Sequence, residues 1–503
     1  MMIVILVAEP ALAALIAILI RPHPLRRAVL VAAAVVHTAL VAWLWIDPAR
    51  FPPLGNWLAL DSLGVLFLGI TSLLFLFVSL SAASFLRREN GVTQSDPDEG
   101  FLFDNIPEAV FTACLLGFLS MMTLVTVSQH FGLLWVAIEA TTLVSAPLIH
   151  FHRHHRSLEA TWKYLLICSV GIAVALLGTY FLAAAVPAGS GGVDSLTFAV
   201  LKGRAALLDP RWLKASFLLL LAGYGTKMGL APLHTWLPDA HSEAPSVVSA
   251  LLSGALLNCA FLAILRILSI CSSAGLGDFG RQTLVAFGLC SMAVAAGLII
   301  GQQDYKRMLA YSSVEHMGIL ALGVGLGGIA DWGALLHAVN HSLSKAALFL
   351  LAGNILAAYG TKRYTQVTGV LRRLPITGAL WVAALFAIVG SPPFGLFTSE
   401  LTILRAAVEA RRWIIVAAYS LMLSVVFAGM IVVLVRMAQG TVRAGAATGD
   451  SVRVLPDETQ PFRERLWDVA APLCLLCMTL LLGLYIPPFL NQALQRAALL
   501  IGG

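Results

Sequence analysis

Apolar residues come in this chain in successive stretches about 20 residues long, the length at which a helix spans a bilayer. They run approximately over 3–20, 28–46, 61–85, 107–127, 130–149, 160–185, 212–233, 244–268, 282–301, 308–328, 333–358, 375–398, 413–436 and 468–487. Windows seven and twelve are the least regular. Only 12% of the residues are charged, where a soluble chain carries about 25%. The sequence therefore predicts an all-α polytopic membrane protein of about 14 transmembrane helices, with little left over for a soluble domain.

Loops after spans one, three, five, nine, eleven and thirteen hold most of the basic residues, among them Arg26, Arg27, Arg87, Arg88, Arg153, Lys306, Arg307, Lys362 and Arg363. The positive-inside rule places these loops in the cytoplasm and both termini outside. The net charge of +6 is this loop bias and points to no nucleic acid. The N-terminus, MMIVILVAEP, lacks a basic n-region and carries Glu9, so it reads as a retained first span.

Against that apolar background the charged residues inside the spans stand out. Lys227 lies near the middle of window seven, and a lysine at the centre of a membrane helix costs about 3 kcal/mol. Such a residue must face protein or water, and its default reading is a step on an ion pathway. Beyond it Pro232 and Pro238 interrupt the helix, and His234, Asp239, His241 and Glu243 follow closely. Freed backbone groups at that depth need partners, so this stretch is expected to line an enclosed, polar channel.

Glu139 sits in an apolar window, and a Glu139–Lys227 couple can exchange protons through small changes in separation or hydration. A static buried ion pair is the plainer reading, but it is a costly way to gain stability. In window eleven His337, His341 and Lys345 are spaced i, i+4, i+8 and share one helical stripe. Imidazole donates on one nitrogen and accepts on the other, so that stripe suits a proton path. His316 is a further relay candidate, and Glu400 follows a second break, Ser391-Pro392-Pro393-Phe394-Gly395. Lys163 lies near a helix end, where it either joins the path or reaches to the surface.

Other patterns carry little. Cys474 and Cys477 form a C-x-x-C inside an apolar helix and are expected as buried thiols. The tract His150-Phe-His-Arg-His-His155 lies in a short basic loop, and Gly323-x-Gly325-x-x-Gly328 ends an apolar span with no strand before it. There is no P-loop and no iron–sulfur or haem ligand set, so no cofactor and no metal is expected in this chain.

Two regions share a design. Residues 107–268 hold Glu139, Lys227 and the Pro232 break, and residues 282–436 hold Lys345, Glu400 and the second break. Paired broken helices of this kind suggest two inverted repeats, helices 4–8 and 9–13. Residues 1–106 would supply helices 1–3 and a cytoplasmic loop, and 437–503 a polar insert and helix 14.

The run Lys227-Met-Gly-Leu-Ala-Pro-Leu-His-Thr-Trp-Leu-Pro-Asp-Ala-His-Ser-Glu-Ala-Pro resembles the signature of the antiporter-like subunits of respiratory complex I, Mrp cation/proton antiporters and membrane-bound [NiFe]-hydrogenases. Asp304-Tyr-Lys-Arg-Met-Leu-Ala-Tyr-Ser-Ser, His341-Ser-Leu-Ser-Lys345-Ala and Pro392-Pro-Phe-Gly extend the likeness. Within that superfamily Trp135-Val-Ala-Ile-Glu139-Ala-Thr-Thr-Leu, Ser157-Leu-Glu-Ala-Thr-Trp-Lys163-Tyr and Leu251-Leu-Ser-Gly-Ala-Leu-Leu-Asn258-Cys look most like hydrogenase-4 component F.

The resemblance implies 14 helices, broken helices seven and twelve, two inverted five-helix repeats, and proton-path roles for Glu139, Lys227, Lys345 and Glu400. One position departs from complex I subunits, where helix eight often carries a lysine; here Asn258 orders water but does not titrate. The implied function is proton translocation in a bacterial or archaeal inner membrane, coupled to electron transfer in partners. Those partners would be other membrane subunits and peripheral iron–sulfur and hydrogenase-like subunits. A sodium or potassium/proton antiporter subunit and a non-conducting anchor are the alternatives.

Overall fold

The structure, a computed structural model, describes residues 2–89, 94–95, 102–187, 193–440 and 464–502. Residues 441–463 of the expected polar insert, and 90–93 and 96–101 of the expected cytoplasmic loop, lie outside these residues. Six long helices come first: α1 (Met2–Leu19), α2 (His23–Ile46), α3 (Ser62–Glu89), α4 (Glu108–Val127), α5 (Phe131–Ile149) and α6 (His155–Ala185). The connector after α6 carries the short α7 (Phe198–Gly203). Then α8 (Pro210–Met228) stops, the chain unwinds, and α9 (Trp236–Glu243) resumes.

Next, α10 (Ser246–Leu251) passes through a π-turn at Leu252–Leu256 into α11 (Leu257–Ser273). The long α12 (Gly277–Ile299), α13 (Tyr305–Leu326) and α14 (Ile329–Tyr359) follow, then a short α15 (Val370–Arg373). A second interrupted pair, α16 (Pro375–Ile388) and α17 (Gly395–Glu409), precedes α18 (Trp413–Ala438), α19 (Leu466–Leu484) and α20 (Pro488–Gly502).

Among the described residues, 12 helices are long and apolar enough to cross a membrane, α10 and α11 counting as one. They coincide with twelve of the windows read from sequence. The remaining two windows fall on α8 with its unwound tail and on the α16–α17 pair. The helix α8 carries Arg211, Lys214 and Lys227, while window twelve is split into helices of 14 and 15 residues.

Burial separates axis from periphery. The α10–α11 span and α13 are almost wholly enclosed, whereas α1, α2 and α18 turn most of their surface outward. Apolar outward faces are what lipid requires. Cys474 and Cys477 lie on such a face of α19, exposed and not buried as the sequence suggested, because a three-residue spacing puts both on one side of the helix.

Aspartates start two of the helices that matter. Asp209 caps α8 by accepting from the amides of Arg211 and Trp212, ahead of Pro210 at the first position. Asp304 caps α13 through the amides of Lys306 and Arg307. The wholly buried Arg266 of α11 grips Asp61 with two nitrogens, at 2.9 and 3.1 Å. It also donates to the Ser128 carbonyl at 2.6 Å and the Thr126 carbonyl at 2.9 Å, satisfying the last turn of α4. One end of the axis is thereby locked.

Candidate functional site: a buried row of Glu, Lys and His

Both interrupted helices have the same backbone order at the break. A glycine at positive φ, Gly229 at 84° and Gly390 at 67°, ends the first segment, and a cis Xaa-Pro bond follows at Pro232 and Pro393. The freed groups of the first break find partners. Trp236 Nε1 donates to the Thr226 carbonyl at 2.8 Å, and the Ala231 amide donates to Ser291 Oγ at 2.9 Å. Such satisfaction is what non-helical backbone at membrane depth demands.

This geometry puts Lys227 in the last turn of α8, where a cation is favoured by the helix carbonyls. Its side chain is wholly buried. Lys227 Nζ donates to Thr142 Oγ1 at 2.8 Å and to Tyr164 Oη at 2.7 Å, and lies 4.5 Å from the Tyr164 ring and 5.9 Å from the Trp236 ring. Glu139 accepts from Ser169 Oγ at 2.8 Å and from Thr142 Oγ1 at 3.3 Å. The acid and the lysine are therefore joined through one hydroxyl, that of Thr142, with no direct ion pair. Tyr164 continues the chain of hydroxyls to Ser145 at 2.7 Å.

Between the two halves lie His241 and Asn258. The His241 ring stacks 5.3 Å from Phe349 and 6.5 Å from Trp236, and both its nitrogens are buried without a hydrogen-bond partner. Asn258 follows the π-turn, a feature that often marks functional positions in helices. Its Nδ2 donates to the Gly254 carbonyl at 2.9 Å and to Ser342 Oγ at 2.8 Å, while Oδ1 is unpartnered.

In the second half α13, α14 and α17 converge. His316 Nδ1 and His337 Nε2 share a hydrogen bond at 2.9 Å, and His337 Nδ1 bonds Ser399 Oγ at 2.9 Å. The His341 ring lies 5.1 Å from His316, and both its nitrogens are unpartnered. Lys345 Nζ, wholly buried, donates to the Leu309 carbonyl at 2.7 Å. Glu315 is an electrostatic neighbour of both Lys345 and Glu400. Glu400 is enclosed against Gly390, where a Cβ would collide with its Oε2, and it lines a cleft of about 310 Å³ with Tyr419 and Ser424.

Three of the residues singled out by sequence stand apart from this row. Lys163 is exposed and pairs with Glu159 at 2.6 Å and Asp239 at 3.0 Å. Asp239 also pairs with Arg307, and Glu243 with Lys362 at 2.9 Å. Lys306 donates to the Ser242 and Ala244 carbonyls at the end of α9. These form an ionic layer across one end of the bundle. His234 sits buried on the unwound stretch, its ring 6.3 Å from Tyr311.

The tract His150–His155 does not converge: His150 faces Ser157, His152 faces Asn105 and His154 receives the Ser157 amide. Sequence reasoning missed Thr142, Tyr164, Ser169 and Ser399 as members of the row. The only local signal was Thr142, three residues beyond Glu139 on the same helix face.

A helical membrane bundle with two interrupted helices flanking a buried Glu–Lys–His row defines the antiporter-like class of membrane subunits. The chain belongs to the family described as NADH:quinone oxidoreductase/Mrp antiporter, transmembrane, whose profile matches residues 128–427. It is 34% identical over 465 residues to the hydrogenase-4 component F homolog of Methylacidiphilum infernorum, covering 92% of each chain.

Among solved structures, a chain of the membrane-bound sulfane sulfur reductase, an archaeal respiratory membrane complex, matches with a TM-score of 0.82. That match is at 21% identity and covers 99% of this chain and 97% of that one. A chain of the Mrp complex from Dietzia sp. DQ12-45-1b matches with a TM-score of 0.77 at 21% identity, covering 99% and 96%. At that identity the two structures establish the shared fold.

Proposed function

We propose that this chain is a proton-translocating membrane subunit of a multi-subunit redox complex of the hydrogenase-4 or complex I type. The observation that carries the reading is Lys227: a wholly buried ammonium held by two hydroxyls, one of which also bonds Glu139. A small outward movement of Glu139 or rotation of Thr142 changes how well the lysine's charge is balanced, and so whether it keeps its proton. From there His241, Asn258, Lys345, His341, His316 and His337 offer a succession of donors and acceptors toward Glu400. The unpartnered nitrogens and oxygens along it are positions where water completes the wire.

Electrons in this reading stay outside the chain, in peripheral iron–sulfur and hydrogenase-like subunits, and further membrane subunits flank the bundle. The hydrogenase-4 relative and the two membrane complexes of like fold support such an assembly. Redox steps in those partners would shift the Glu139–Lys227 balance and drive protons through two half-channels. The loop charges favour both termini on the outer side.

The test is Lys227→Ala in the assembled complex, in sealed vesicles energised by its electron donor. We expect coupled acidification to be abolished while assembly and electron transfer persist. Unchanged acidification would overturn the reading.

A further inference from the structure

The corner formed by His316, His337 and Glu400 has the make-up of a transition-metal site. One ligand-capable atom from each of these three residues lies within 4.8 Å of the other two. His316 is 1% exposed and Glu400 7%, and Glu400 Oε1, enclosed by protein, has no hydrogen-bond partner.

The surroundings orient the set. Ser399 Oγ engages His337 Nδ1 at 2.9 Å, which turns His337 Nε2 into the corner. An outer partner of this kind is what fixes the ring and tautomer of a metal-binding imidazole. The carboxyl of Glu400 is backed by Gly390 and borders a cleft that Glu400 lines with Phe397 and Tyr419.

We propose that this corner binds a divalent transition cation of the zinc class, with His316, His337 and Glu400 as protein ligands and the fourth position open to water. Two imidazoles and one carboxylate suit zinc, whereas magnesium and calcium take oxygen donors. Tetrahedral zinc, with bonds of about 2.0–2.2 Å, sets its ligand atoms about 3.4 Å apart. The 2.9 Å His316–His337 pair then opens slightly, and the widest separation, at most 4.8 Å, closes by about 1.4 Å through rotation of the carboxyl.

Both imidazoles give a lone pair to the cation, so the proton they share moves to the other nitrogen of the ring that carried it, and their hydrogen bond is broken. The consequence, a cation that blocks the row beside Glu400, rests on the proton route proposed above. The binding itself does not.

The experiment uses the detergent-solubilised complex in nanodiscs, stripped with chelator and titrated with Co²⁺, whose visible absorption is strong only in a tetrahedral site. We expect one equivalent to bind, to be displaced by Zn²⁺, and the band to vanish in His316→Gln and Glu400→Gln. His341→Gln, whose ring lies 5.1 Å away but outside the ligand set, retains it. Ser399→Ala, the mildest change, weakens binding about 10- to 100-fold, as loss of an outer partner does.

Absence of the band, or a band indifferent to Glu400→Gln and Ser399→Ala, would overturn the proposal. In vesicles, Zn²⁺ should stop proton movement at the concentration that saturates the site. Binding without any effect on flux would keep the site and overturn the route through it.

Discussion

The two interrupted helices share a backbone plan and differ in what furnishes them. At the first break the buried lysine is held by the hydroxyls of Thr142 and Tyr164, with Ser145 bonded to Tyr164 and Ser169 to Glu139. At the second, α14 and its neighbours supply imidazoles, and Lys345 has a single carbonyl for a partner. Unpartnered buried atoms occur beside both breaks, His234 and His241 among them near the first, but not in the cluster that holds Lys227. His341, Asn340 and Glu400 all carry one or more, whereas Lys227, Thr142, Tyr164 and Ser169 carry none. In the proposed proton route a cluster that satisfies itself would act as a switch whose state depends on one acid moving. A row with open valences would act as a conduit that works when water fills it. On that reading the two halves do different parts of one task.

That contrast can be broken or sharpened by substitution. The largest effect belongs to Lys227→Ala, with proton movement falling by about 10²–10⁴-fold, the contribution of a positioned proton-transfer group. If the second half is a hydrated conduit, His337→Phe costs less, about 10²-fold, because water and His341 offer a detour. Measuring both in the same vesicles ranks the halves, and an equal loss would erase the distinction between switch and conduit.

A smaller effect is expected from Thr142→Val, which keeps the shape and removes the one hydroxyl between Glu139 and Lys227. Losing a hydrogen bond worth about 1 kcal/mol predicts about a fivefold fall in rate. A normal rate would mean that the acid and lysine communicate without Thr142. Least affected is Lys163→Ala. Its exposed pairs with Glu159 and Asp239 are worth about 0.2–1 kcal/mol, so thermal stability shifts slightly and flux stays within about twofold. A collapse of flux in that variant would move Lys163 from the ionic end layer into the row.

The residues that could be read in the sequence were those whose cost is local. Lys227, Glu139, Lys345, His337 and His341 announce themselves because an ionisable side chain in an apolar window is expensive wherever it points. Thr142, Tyr164, Ser169 and Ser399 did not. A hydroxyl in a membrane helix can bond back to its own chain, as Thr141 does to the Ile138 carbonyl at 2.6 Å, so its presence signals nothing. Lys163, Asp239 and Glu243 were drawn toward the path by their chain neighbours. The fold turned them to the end of the bundle, where Arg307 and Lys362 meet them.

By itself, then, the sequence determined that this chain is a helical membrane protein, where most spans lie, and which charged residues had to be enclosed. Span length follows from bilayer thickness and enclosure from the cost of burying charge, and both are properties of a segment considered alone. Tertiary structure decided which hydroxyl joins Glu139 to Lys227, that His316, His337 and Glu400 share a corner, and that Cys474 and Cys477 face outward. Each of those depends on how separate helices are rotated about their axes and set in depth, which the packing of the whole bundle settles at once.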